Sequence, residues 1–262
     1  MRRLAAIVEY DGSGFSGWQH QEHANSIQRE VEAALSFVAG HPVQAVCAGR
    51  TDAGVHALAQ VIHFDSDAPR TTRSWVLGAN TRLPATISIN WAAPVADDFH
   101  ARHRVHRRTY RYYLLNRSER SALLQGRVAW VHRELDAAGM QAAAQELVGE
   151  HDFSAFRSVE CQSKTPVRRL ERIQVSRESD RLCVEVCATG FLHHMVRNIV
   201  GTLIELSGSP DAPGRMRAIL ASCDRSRAGP TAPACGLYFW QAEYPARYGI
   251  PLTLAPAPCL GL

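Results

Sequence analysis

The stretch SIQREVEAALSFVAGHPVQAVCAGRTDAGVHALAQVIHFD, residues 26–65, decides the fold because its hydrophobic period changes partway along. From Ser26, the apolar residues Ile27, Val31, Ala34, Leu35 and Val38 recur at helical spacing, with Asn25 and Gln28 placed as a capping box and Gly40 as the stop. Beyond Gly40 the composition predicts a strand over 43–48, a loop over 49–57 and a strand over 58–65.

Working outward, residues 4–10 read as a buried strand and 11–17 as a glycine-rich, turn-forming loop. Downstream, 71–81 predicts a helix and 86–92 a strand. The order β-α-β-β-α-β is that of a ferredoxin-like unit. The second half repeats it: strand 105–116, helix 136–148, strands 170–178 and 181–189, a helix from Phe191, a shorter helix over 213–223 and a strand over 237–243. The expected architecture is therefore α+β, two ferredoxin-like (RRM-like) halves with mainly antiparallel sheets and an active-site cleft between them. The boundaries are 1–99, 100–248 and a loose proline-rich tail over 249–262, with the joint near 94–100.

The chain has 262 residues, 46% of them hydrophobic and 21% charged, which excludes a disordered or collagen-like chain and a small disulfide scaffold. The apolar run from Leu4 to Val8 is too short for a signal-peptide core, and no run approaches a membrane span. Seven cysteines are scattered without a Cys-x-x-Cys pair, as in a reducing compartment. A cytoplasmic protein is expected. Its charge is divided unevenly: residues 1–99 carry seven Arg against ten acids, whereas 100–262 carry 22 Lys and Arg against 15 acids. The second half is the side expected to meet a polyanion.

Three places could carry chemistry. In Gly49-Arg50-Thr51-Asp52-Ala53-Gly54-Val55-His56 a single carboxylate stands between glycines, compatible with presentation in an open cleft or with an Asx-type turn. Residues 100–111 hold five Arg and three His running into Tyr110, Tyr112 and Tyr113. The interleaved cations oppose a metal, while a basic strand with aromatic platforms suits RNA; a solvated edge strand is the alternative. In the helix after Phe191, His194, Arg197, Asn198, Gly201 and Glu205 fall opposite the apolar face, so Arg197 is expected to address a cleft or to pair with a surface carboxylate. The loop at 12–17 lacks the Gly-Lys-Ser/Thr ending of a phosphate loop, and nothing implies a nucleotide cofactor.

The Asp52 octapeptide resembles that of the tRNA pseudouridine synthase A family. The resemblance runs from Leu4 to Pro245 through Tyr10-Asp11-Gly12, Gly17-Trp18-Gln19, Gly78-x-Asn80-x-x-Leu83-Pro84, Asp98-Phe99-His100-Ala101-Arg102, Tyr110-Arg111-Tyr112, His151-Asp152-Phe153, Cys161-Gln162-Ser163-Lys164-Thr165, His193-His194-Met195-Val196-Arg197-Asn198 and Gly236-Leu237-Tyr238. It implies isomerisation of uridine to pseudouridine at positions 38, 39 and 40 of the tRNA anticodon stem-loop by a homodimer without metal or organic cofactor. It also implies that Asp52 is the catalytic carboxylate, with Arg197 as its basic partner, Tyr110 stacking on uracil and Leu237 walling the pocket. Arg50 would occupy the space left by the flipped base. Arg70, Phe99, His100, Ala101, Arg102 and His103, with Cys161, Gln162, Ser163, Lys164 and Thr165, would contact RNA. The run His103-Arg104-Val105-His106 is more charged than the family's usual continuation. A non-catalytic RNA-binding module is the competing reading, and a metal-dependent hydrolase built on the histidines a third.

Overall fold

The computed structural model describes residues 1–252. Among the described residues the chain forms two compact units, one comprising 1–106 and 238–252, the other comprising Arg107–Leu237. Both mix helices with mainly antiparallel strands.

In the first unit the chain runs β1 (Arg2–Tyr10), α1 (Ile27–Ala39), β2 (Val46–Cys47), β3 (His56–Ser66), α2 (Thr72–Asn80) and β4 (Ile87–Pro94). β1 lies antiparallel between β3 and β4, with Ile7 opposite Val61 and Trp91. Helix α1 buries Ile27, Val31, Leu35 and Val38 on its inner face, each such side chain contributing about 1.5–3 kcal/mol relative to exposure. Gly40 ends it at φ 75°, the left-handed conformation that glycine adopts without a Cβ clash.

Two expectations fail here for identifiable reasons. No capping box forms on Asn25 and Gln28: the cap residue is Ser26, whose side chain makes no capping hydrogen bond. Instead the N–H groups of Ile27 and Gln28 donate to the carbonyls of Gly17 and Trp18, at 3.1 and 2.9 Å. The strand predicted over 43–48 shrinks to Val46–Cys47. Side chains of α1 take its backbone donors, Val43 N–H going to Ser36 Oγ and Ala45 N–H to Glu32 Oε1, both at 2.9 Å.

The second unit runs β5 (Arg107–Asn116), β6 (Ala129–Val131), α3 (Ala137–Gln145), β7 (Gly149–Asp152), β8 (Val167–Glu178), β9 (Arg181–Ala188), α4 (Met195–Leu206) and α5 (Ala212–Ser222). Its strands are ordered β5-β9-β8-β7, all antiparallel, with β6 parallel on β5. The short strands β6 and β7 have too few residues to show an alternating pattern in sequence. The helix expected from Phe191 begins at Met195, because His194 sits at φ 62° as its cap and the preceding residues form a turn.

The final strand, β10 (Leu237–Glu243), matches its predicted range. From Tyr238 it belongs to the first unit, where it pairs in parallel with β3 at Tyr238–His56 and Phe239–Ala57. The tail expectation lies largely beyond the described residues. Among those described, no helix is long and apolar enough to cross a membrane.

Candidate active site

In the first unit the Asp52 loop is built around backbone contacts rather than around its own side chains. Trp18 N–H donates to Thr51 O at 3.0 Å, Gly54 N–H to Phe15 O at 3.3 Å and Val55 N–H to Asp52 O at 3.2 Å. Below the loop, buried Thr51 Oγ1 and Tyr10 Oη lie 2.8 Å apart, and Gln60 bridges both backbone groups of Gly49, accepting at 3.3 Å and donating at 2.5 Å.

Two glycines of the 12–17 loop make this close approach possible. A Cβ at Gly12 would lie 2.0 Å from Val55 O, and one at Gly17, where φ is 94°, would lie 2.7 Å from Thr51 O. The glycine run therefore cradles polypeptide rather than phosphate. His56 closes the cradle: its Nδ1 accepts the Gly12 N–H at 3.1 Å, and its ring stacks on Tyr238 with centroids 4.6 Å apart. This leaves Asp52 half-buried on a fixed backbone.

In the second unit Tyr110 lies on β5 opposite Val186, its ring meeting Phe191 edge to face at 4.9 Å. Leu237 is buried just after Gly236, where a Cβ would fall 2.6 Å from the Tyr112 ring. Tyr112 Oη donates to Pro233 O at 2.7 Å, and burial pushes the Tyr112 phenol above its ordinary range. Arg197 is half-buried in the first turns of α4 and donates through Nε to Ala232 O at 2.8 Å.

On the second face of α4 Arg197 is half-buried and Glu205 exposed, so the helix is not wholly buried. Asn198, Gly201 and Thr202 are buried, because the segment after α5 folds back onto them. Amphipathic spacing identifies an unlike face, not whether solvent or a polar loop covers it.

The residues named as RNA contacts divide by exposure. Arg50, Arg102, His103, Gln162, Lys164 and Thr165 are exposed. Arg70 is also exposed, though its Nε donates to Val38 O at 2.9 Å and so ties the end of α1. Phe99 and Ala101 have no exposed surface. The Phe99 ring packs between Tyr244 and Tyr248, each at 5.1 Å, and Ala101 N–H donates to His63 Nδ1 at 3.2 Å. They shape the turn that displays Arg102 and His103.

Within that turn His100 lies between His63 and His103, its ring tilted to both, with ring centroids 4.6 and 4.2 Å away. Its Nδ1 accepts the N–H groups of Arg102 and His103. Burial, reinforced by neighbouring His100 and Arg3, pushes His63 down to about 4, and burial with His103 and Arg3 lowers His100 as well. Cys161 and Ser163 are half-buried in a loop held by Arg157, which donates to both their carbonyls at 2.6 and 2.9 Å. Burial alone would raise the Cys161 thiol, but N–H donors from His193 and Ser163 and the Arg157 cation outweigh it and leave it below the usual range. Among the described residues of either unit taken alone, no three His, Cys, Asp or Glu side chains converge as metal ligands would.

The chain is similar throughout its length to known proteins. The sequence model of a family described as tRNA pseudouridine synthase matches residues 6–104 and 143–245. A protein named tRNA pseudouridine synthase A from Xanthomonas euvesicatoria pv. vesicatoria is 55% identical over 252 residues, spanning 95% of this chain and 98% of that protein. One of the same name from Hydrogenovibrio crunogenus is 48% identical over 252 residues, with 96% of each covered. Its counterpart from Paraburkholderia phytofirmans is 50% identical over 251 residues, covering 96% and 93%. With the glycine-cradled Asp52 loop inside the matched region, the chain belongs to the tRNA pseudouridine synthase family.

Proposed function

We propose that this protein converts uridine to pseudouridine at positions 38, 39 and 40 of the tRNA anticodon stem-loop, with Asp52, Tyr110, Arg197 and Leu237 acting on one flipped uridine. The observation that carries this reading is the Asp52 loop: a carboxylate on a backbone fixed by Thr51, Gly54 and Val55 is preorganised for reaction at a sugar carbon. A module that only bound phosphates would gain nothing from a negative charge so placed.

The reaction is an isomerisation, so no atom is gained or lost. The bond from uracil N1 to C1′ breaks, the base turns, C5 joins C1′, and the proton carried by C5 is released as N1 becomes protonated. Positive charge develops on the sugar as the first bond breaks. An ionised Asp52 answers it either by adding to C1′ or by taking a proton from C2′. Arg197 stabilises the charged carboxylate, and Tyr110 stacks on the uracil and can assist loss of the C5 proton. Extracting the uridine costs a few kcal/mol, and Arg50 fills the vacated stack.

We read the two units as ferredoxin-like halves. Supporting this in the first is the order β4-β1-β3, with β2 on β3 and two helices at the expected places in sequence. Exposed Arg102, Arg104 and Lys164 suit the RNA backbone. We further infer a cytoplasmic homodimer that needs neither a metal nor an organic cofactor. Incubation with tRNA tritiated at uridine C5, followed by mapping of pseudouridine, tests the reading. It expects tritium release with pseudouridine confined to positions 38–40; tight tRNA binding without release would favour the non-catalytic module.

A further inference from the structure

The segment that follows α5 crosses the buried polar side of α4 as a strap. Gly229 N–H donates to Thr202 Oγ1 at 2.9 Å, and Thr202 Oγ1 donates in turn to Asn198 O at 2.8 Å. At Gly201 a Cβ would lie 1.7 Å from Pro230 O, so only glycine lets the strap come this close. The strap and the helix then grip each other at one place. Ala232 N–H donates to Arg197 O at 3.1 Å, and Arg197 Nε donates back to Ala232 O at 2.8 Å.

Asn198, buried to 1% exposure, is the peg on which the strap hangs. Its Nδ2 donates to Phe156 O at 2.8 Å, which fixes the direction of the amide. Its Oδ1 accepts Thr231 Oγ1 at 2.7 Å and Arg225 Nη2 at 3.1 Å. The same Nη2 reaches Thr231 Oγ1 at 3.2 Å, while Nη1 donates to Ala228 O at 3.2 Å. One guanidinium thus spans three neutral acceptors on helix and strap. A planar fork does this; the point charge of a lysine cannot.

We propose that Arg225 is a positioning residue for the isomerisation: by clamping Thr231 against Asn198 it fixes the Ala232 carbonyl that aims the Arg197 guanidinium. The proposal rests on the reading of Arg197 as the basic partner in that reaction. Arg225 touches no substrate in this role. Its effect passes through the Nε hydrogen bond, which removes rotation of the guanidinium about the end of its side chain. Misplacement of a catalytic group by about 1 Å costs up to ~100-fold in rate, so loosening this one carbonyl is enough to be seen.

The test measures single-turnover tritium release, tRNA affinity and thermal midpoint for Arg225→Ala, Arg225→Lys and Thr231→Val, alone and in an Arg197→Lys background. Arg225→Ala should slow release about tenfold or more with tRNA affinity within about twofold, and Arg225→Lys should not restore it. Thr231→Val, which keeps the side-chain shape and so decides the matter if Arg225→Ala fails to fold, should slow release severalfold. In the Arg197→Lys background the same substitutions should change the rate by less than about twofold, since the contact they serve is already gone. Equal losses in both backgrounds, or wild-type rates for both Arg225→Ala and Thr231→Val, would overturn the proposal. Arg197→Ala at the wild-type rate would instead overturn the role of Arg197 itself, in a protein whose strap residues are untouched.

Discussion

The Asp52 loop and the Arg197 helix are held by different balances of contacts. Around Asp52 backbone-to-backbone hydrogen bonds, made possible by missing side chains at Gly12 and Gly17, do most of the fixing, with Thr51, Gln60 and His56 supporting the loop from beneath. Around Arg197 the contacts run mostly through side chains, with Asn198, Thr202, Arg225 and Thr231 joining the strap to α4. A carboxylate on a short side chain is placed once its Cα is placed, so a rigid backbone suffices. An arginine has several more rotatable bonds, so fixing its Cα does not fix its guanidinium; the hydrogen bond from Nε to Ala232 O is one contact that helps to place it.

The sharpest way to break this contrast is to add a methyl group on each side of it. Gly12→Ala puts a Cβ against Val55 O inside a buried cradle, and should cost more than about 4 kcal/mol, a loss readable as a fall in denaturation midpoint or in soluble yield. Gly201→Ala meets Pro230 O as closely, but Pro230 is exposed and the strap can swing outward. We expect a smaller loss, about 1–3 kcal/mol, accompanied by a slowed single-turnover rate. Equal destabilisation at the two sites would erase the distinction.

A milder effect is expected on the surface turn. Arg104 is exposed, and among the described residues its side chain meets only exposed Asp98, Nη2 with Oδ2 at 3.5 Å and Nε with the carbonyl at 3.2 Å. Arg104→Ala should leave stability within about 0.5 kcal/mol while weakening tRNA binding and lowering its logarithmic salt slope by about one. An unchanged slope would remove Arg104 from the RNA face.

The last effect is on pH dependence. His63 is neutral in the fold, where its Nδ1 accepts the Ala101 N–H, and its folded value of about 4 lies below the ordinary 6.5. Between those values the unfolded chain binds the additional proton, so stability falls as pH drops from about 6.5 towards 4 and does not change through this group above 6.5. Comparing thermal midpoints of the protein and His63→Gln across that window should show a flatter acid limb in the variant. Parallel limbs would contradict it.

Much of this was legible in sequence where one physical signal dominated. Helix α1 shows an uninterrupted apolar face and a glycine stop, and β10 is a compact apolar run between turns. The 43–48 segment was misread because its ladder donors are taken by Glu32 and Ser36, residues whose helical spacing says nothing about where their polar tips reach. Phe99 and Ala101 sit in a motif with exposed neighbours, and proximity in sequence could not separate the side chains that touch solvent from those that shape the turn. The strap was invisible for a similar reason. Asn198 lies 27 residues before Arg225 and 33 before Thr231, and each is individually unremarkable; only Gly201, a glycine inside a helix, hinted at a close backbone approach.

The most direct test of the account is single-turnover release of C5 tritium from uridine-labelled tRNA by the protein and by Asp52→Asn, with tRNA affinity measured in parallel. We predict release by the wild type, a fall of about 1,000-fold or more in the variant, and affinities that agree within a fewfold. Release by Asp52→Asn at a rate near that of the wild type would contradict the assignment of the chemistry to Asp52.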